Sequence, residues 1–197
     1  MPFAAANTLA MLCVLATYVA FFLTLVFLRK PAEREVAAPR ARDPISFLGI
    51  FVQGIAFAIV FFGPVSVRPL SFDTASVAEA AVPALLALGS LALFARAFSA
   101  LGANWSFVAR VREDHGLITS GPFGLVRNPI YLAMLMMLVA ADLALGRVER
   151  LIVAIPIFYI GTVIRVLREE RLLRAQFTGT YEEYAQRVRF RLIPGIW

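Results

Sequence analysis

Between residues 4 and 28 the chain carries no charged side chain. Roughly 20 consecutive apolar residues are enough for a helix to cross the hydrocarbon core of a bilayer. In that medium a helix is the structure that satisfies every backbone group within one segment. Residues 4–28 are therefore read as a first transmembrane helix; a cleaved signal peptide would show a basic region before a shorter apolar core. Apolar runs recur at 45–63, 78–101, 130–145 and 151–167. The expected fold class is an all-α integral membrane protein of about five transmembrane helices. With 60% hydrophobic and only 16% charged residues over 197 positions, the chain leaves no room for a separate soluble catalytic domain of ordinary size. Any chemistry must be built from helix ends and their connections.

The connections differ in charge. Residues 29–44 hold Arg29, Lys30, Arg34, Arg40 and Arg42, residues 102–129 hold Arg110, Arg112 and Arg127, and the tail holds seven arginines from Arg165 to Arg191. The alternate connections hold only Arg68, Arg147 and Arg150. Basic residues gather on the cytoplasmic side of membrane proteins, so the amino terminus is expected outside and the carboxyl terminus inside, in the cytoplasmic membrane if the source is prokaryotic. The net charge of +6 then reflects orientation and contact with membrane lipids rather than nucleic acid. Cys13 and His115 are the single cysteine and histidine, so neither a disulfide nor a Cys/His metal site can be assembled, and no metal is expected. Arg96, in the last turns of the third run, is expected to snorkel. Asp142 should reach interfacial water, and the tight connection at 146–150 should pack helices four and five side by side.

Residues 117–131 are polar and rich in turn formers, with Gly121, Pro122, Gly124 and Pro129. Irregular backbone at a membrane boundary usually lines a cavity, although an ordinary interfacial loop is the plain alternative. Arg127 and Asn128 precede Pro129, which suits the first helical position; a cation and an amide thus stand at a helix mouth. A second polar cluster, Arg165, Glu169 and Glu170, stands where the fifth helix leaves its apolar stretch. Its i,i+4 spacings to Glu169 and Arg174 also fit a merely solvated helix face. If helices four and five pack side by side, the two clusters form one pocket. Tyr181, Tyr184, Ala185 and Val188 make an apolar stripe, read as an amphipathic helix on the membrane face. Its tyrosines either anchor at the interface or cap the pocket.

Taken in order, Gly121-Pro122-Phe123, Arg127-Asn128-Pro129-Ile130-Tyr131, Glu169-Glu170, Phe177, Tyr181 and Tyr184 resemble the isoprenylcysteine carboxyl methyltransferase family, which is related to membrane phospholipid N-methyltransferases. The resemblance covers roughly residues 115–194. It implies two regions, a three-helix membrane region at 1–101 and a catalytic half at 102–197. It also implies S-adenosylmethionine as cofactor, held at the cytoplasmic face by His115, Leu117, Gly121, Arg127, Asn128, Pro129, Tyr131, Glu169 and Glu170. The family pattern has tyrosine at position 123 and histidine at position 128, so Phe123 and Asn128 depart from it, and Gly179 stands one place late behind Thr178.

Asparagine donates and accepts hydrogen bonds but does not titrate near neutral pH; Asn128 keeps a binding role and loses a proton-transfer one. Methyl transfer is an in-line substitution, so the protein's task is to align donor and nucleophile and exclude water. The expected acceptor is a lipophilic small molecule or lipid. A carboxylate acceptor needs no base and could be held by Arg165, Arg168 or Arg189; an amine or thiol would need a base such as Glu169 or His115. Arg165, Glu169 and Arg168 are accordingly the catalytic candidates. The competing readings are an NADPH-dependent enzyme resembling the membrane sterol reductases, and a non-catalytic scaffold or transporter.

Overall fold

The computed structural model describes residues 5–27, 44–102 and 116–197. These form six α-helices: α1 (Thr8–Phe27), α2 (Pro44–Phe61), α3 (Thr74–Leu101), α4 (Pro129–Ala144), α5 (Leu151–Gln176) and α6 (Thr180–Arg187). Short 3-10 turns lie at Gly121–Gly124 and Val148–Arg150. Among the described residues the one β pairing is an isolated bridge between Ala6 and Val67, so the all-helical class holds. Of these helices α1, α3 and α5 are long and apolar enough to cross a membrane, which makes the chain an integral membrane protein; α2 and α4 are apolar but shorter.

The helix starts follow local chemistry. Asn7 Oδ1 accepts from Ala10 N at 3.1 Å at the head of α1. Asp73 accepts from Ser76 N at 2.8 Å, a cap that satisfies one orphan donor and moves the start of α3 from the expected residue 78 to Thr74. Pro129 opens α4 and lacks only an N–H that has no partner there. As the sequence suggested, α5 continues through its charged segment to Gln176.

Small residues set the packing. At the α2–α5 contact, a Cβ built on Gly161 would stand 2.8 Å from Gly49 O and 2.9 Å from Gln53 Cγ. Such close backbone approach is the usual way helices associate where lipid removes the hydrophobic driving force. Beside it, Gln53 Nε2 donates to Thr162 Oγ1 at 2.9 Å, both side chains buried. In the α3–α4 contact, Ser90 Oγ donates to Ala133 O at 2.6 Å. Phe21 of α1 stacks on Phe94 of α3 with ring centroids 4.2 Å apart.

This pairing corrects the expected hairpin. The 146–150 connection is as tight as anticipated, but α4 lies chiefly along α3 and α5 chiefly along α2, with only limited contact between α4 and α5. The small faces of Gly49 with Gly161, and of Ser90 with Ala133, outcompete the contact between chain neighbours.

Asp142 is a second correction. It is fully buried instead of reaching interfacial water. The chain reverses at Gly146 with φ of +67°, and Arg147 N donates back to Asp142 O at 3.2 Å, so the turn folds over the end of α4. At the same end of the bundle, the Arg147 guanidinium donates to the carbonyls of Phe62, Gly63 and Pro64, and Arg150 donates to Ile59, Val60 and Phe62. The last carbonyls of α2 lack helical partners, and two arginines supply them.

Candidate functional site

At the opposite end of the bundle the first turn of α4 meets the charged part of α5. The Tyr131 hydroxyl donates to Glu169 Oε1. Arg165 Nη2 lies 3.4 Å from the same oxygen, and the Arg165 guanidinium sits over the Tyr131 ring, 5.1 Å from its centroid. Tyr131 is 6% exposed, whereas the Glu169 side chain keeps 26% of its surface accessible.

Glu170, one residue on, is nearly enclosed. Its carboxylate meets Arg127 Nε at 3.2 Å, Arg191 Nε at 3.2 Å and Arg174 Nη2 at 3.6 Å. The Arg127 and Glu170 side chains are 7% and 6% exposed. A buried carboxylate persists only when paired and hydrogen-bonded, and here three guanidiniums surround one carboxylate.

The two clusters are joined by the tail beyond α6. Residues 188–197 fold back over the site: Arg127 N donates to Phe190 O at 2.9 Å, and Asn128 donates to Arg191 O from both its backbone N at 3.0 Å and its side-chain Nδ2 at 2.9 Å. Pro194 and Gly195, with φ of +84° at the glycine, carry the turn in which Ile196 N donates to Ile193 O at 3.1 Å. The turn returns Trp197 against Tyr159, at 5.2 Å between centroids, and beneath the Arg191 guanidinium. A Pro-Gly pair is a turn signal and was visible in the sequence. That its flanking arginine would reach Glu170 was not.

The glycine-rich stretch forms one side of the site. Gly121 has φ of +61°, a conformation L side chains avoid, and it opens the 3-10 turn that buries Phe123. Tyr184 Oη donates to Phe123 O at 2.8 Å, so α6 is fastened to the loop. Tyr181 and Tyr184 are 1% and 4% exposed and pack with Leu117, Leu173 and Phe177. The apolar stripe of α6 thus lies on the protein, which corrects the reading of its tyrosines as interfacial anchors. Burial pushes the Tyr184 hydroxyl up to about 12, and burial together with the Glu170 carboxylate raises that of Tyr181.

Between α6 and the loop runs a groove of about 350 Å³, bounded by Leu117, Thr119, Phe177, Thr180, Glu183 and Arg187 among others. Of the candidate residues, Leu117, Arg127, Asn128, Pro129, Tyr131, Arg165, Glu169 and Glu170 all lie at this end of the bundle or against it. Arg168 is half-buried on α5, and Arg165 is the cation over the Tyr131 ring. His115 lies outside the described residues, as do Arg110, Arg112, Glu113 and Asp114.

A comparison with curated proteins finds no match. Residues 78–180, from the first turns of α3 to the start of α6, match the family described as phospholipid methyltransferase. That stretch takes in Arg127, Tyr131, Arg165, Glu169 and Glu170 and covers more than half of the chain, which therefore belongs to the phospholipid methyltransferase family.

Proposed function

We propose that the protein is an S-adenosylmethionine-dependent methyltransferase acting on a lipophilic acceptor that reaches the site from the bilayer. The observation that carries this reading is the meeting of Tyr131, Arg165 and Glu169 from two separate polar stretches, in a family of methyltransferases. The residues fit such a cofactor. The accessible Glu169 carboxylate suits its cationic groups, and the positive excess around Glu170 suits its carboxylate. The groove beside Leu117, near the lower end of the roughly 300–1,000 Å³ usual for small-molecule sites, suits its adenosine.

When bound, the cofactor supplies the electrophilic methyl group. Gly121 and the 117–131 loop shape the wall of the groove, Tyr131 and Arg165 orient Glu169, and α6 excludes water from the loop side. The two carboxylates divide the work: Glu169 touches the ligand, and Glu170 locks the loop, α5 and the tail through Arg127, Arg174 and Arg191. Asn128 clasps the tail and holds no proton for transfer. Arg165 and Arg168 hold an anionic acceptor, and Glu169 takes the proton if the acceptor is an amine or thiol.

In this reading α1 to α5 all cross the membrane, with the amino terminus outside and the site cytoplasmic. The arginine arrangement at the far end supports it. Arg147 and Arg150 cap α2 and Arg68 pairs with Glu79, so each basic residue assigned outside has a structural task. The catalytic half is residues 102–197, supported on the helices of 1–101.

Isothermal titration of the detergent-solubilised protein with S-adenosylhomocysteine tests the reading, with Glu169→Ala expected to abolish binding in a folded protein. Thermal stabilisation by NADPH in place of S-adenosylhomocysteine would turn the assignment toward the reductase alternative, and stabilisation by neither toward a scaffold. No observation among the described residues favours those two readings.

A further inference from the structure

Helix α2 lies outside residues 78–180, yet it touches the site. A Cβ built on Gly49 would collide with Cγ of Arg165, stand 3.3 Å from its Cδ and 2.9 Å from Gly161 O. The absent side chain is thus a channel through which the Arg165 stem passes along α2. The guanidinium at the far end of that stem lies over Tyr131 and beside Glu169. A side chain held in one rotamer by packing delivers its charged head to one spot, and a displaced stem moves the head by more than the displacement itself.

We infer that Gly49 is a positioning residue of the site: its missing Cβ aims Arg165 at Tyr131 and Glu169. The inference rests on the proposed cofactor role of that trio, and it assigns to the amino-terminal half a part in ligand binding. Two other glycines separate this effect from plain packing. Gly54, on the same helix, has open space where its Cβ would stand, and the atoms nearest a Cβ on Gly161 are Gly49 O, Gln53 Cγ and Gln53 N, all on α2. An alanine at 161 therefore presses first on α2 itself, at Gly49 O and Gln53.

The experiment compares Gly49→Ala, Gly54→Ala and Gly161→Ala, each with Arg165 intact and with Arg165→Ala. S-adenosylhomocysteine affinity and the ligand-free thermal midpoint are read for all. With Arg165 intact, Gly49→Ala is expected to weaken binding roughly tenfold, as small misplacements of site groups do, while Gly54→Ala matches the parent. In the Arg165→Ala background the Gly49→Ala effect on both affinity and midpoint should shrink, because the colliding stem is gone, whereas the Gly161→Ala effect on the midpoint should persist. Equal effects of Gly49→Ala in the two backgrounds would overturn the inference, as would unaltered affinity in Gly49→Ala. Should Gly49→Ala alone fail to fold, recovery of folding in the double variant supports the inference, and an Arg165→Ala protein that binds S-adenosylhomocysteine as the parent does overturns it. If the parent protein does not bind S-adenosylhomocysteine, the cofactor reading fails, while the midpoint cycle still decides whether Gly49 and Arg165 are coupled.

Discussion

The Tyr131 hydroxyl on the first turn of α4 donates a hydrogen bond to Glu169 on α5, and this bond links two helices that otherwise pack on different partners. Its consequence is local. Tyr131→Phe removes the donor while the ring stays beneath Arg165, so the fold should survive. Hydrogen bonds to charged groups contribute about 1.5–3 kcal/mol, and the lost orientation of Glu169 should weaken S-adenosylhomocysteine binding by roughly tenfold or more. Calorimetric titration checks this; unaltered affinity would detach Glu169 orientation from ligand binding.

Glu170 should respond differently from its neighbour. Removing one partner of a buried ionic cluster costs about 3–5 kcal/mol, because the remaining charges are left uncompensated. Glu170→Ala leaves Arg127, Arg174 and Arg191 facing one another with Arg127 nearly enclosed. The ligand-free thermal midpoint should fall sharply in Glu170→Ala and by only about 2–3 °C in the more exposed Glu169→Ala. Equal losses in the two variants would contradict the division of labour between the carboxylates.

How far the sequence anticipated this site depends on how local each signal is. The five apolar helices and the proline start of α4 follow from runs of neighbouring residues, and all are readable to within a few positions; the Asn7 and Asp73 caps, which set α1 to start at Thr8 and α3 at Thr74, do not show in the apolar runs. The partners of the helices were not readable. The Gly49–Gly161 approach depends on two single residues in different helices, and no periodicity marks which glycines will meet. The Arg191 contact with Glu170 was hidden for another reason: an arginine near a membrane surface has many ordinary explanations. Only the backbone bonds from Arg127 and Asn128 to the tail select this one. Family motifs singled out Glu169 and Glu170 together, while their surroundings separate them.

The alkaline stability of the α6 cap follows from Tyr184. Its hydroxyl titrates at about 12 in the folded protein against about 10 in an unfolded chain. A raised pKa means the folded state retains a proton that the unfolded state has lost. The stabilisation is therefore complete below pH 10 and is lost as the pH rises from about 10 to 12. Tyr184→Phe should flatten part of that decline and, near neutral pH, lose about 1 kcal/mol because Phe123 O loses its donor. Circular dichroism melts at a series of pH values between 8 and 12 measure both effects. Identical pH profiles for the two proteins would mean that Tyr184 does not govern the window.

At the far end of the bundle, the Arg147 guanidinium serves three carbonyls, those of Phe62, Gly63 and Pro64, and the residue is only 2% exposed. The chemistry of that contact distinguishes arginine from lysine. A planar fork presents five donors at fixed angles, whereas an ammonium presents three on a strongly hydrated point. Arg147→Lys keeps the charge but cannot span the three acceptors, so one or more carbonyls just past α2 lose a charged donor, at about 1.5–3 kcal/mol each. The expected result is that Arg147→Lys destabilises nearly as much as Arg147→Ala, while Arg150→Lys, at a partly exposed position, costs less. Thermal midpoints of the three variants decide it. A wild-type midpoint in Arg147→Lys would show that charge near the α2 terminus suffices and that the fork geometry contributes nothing.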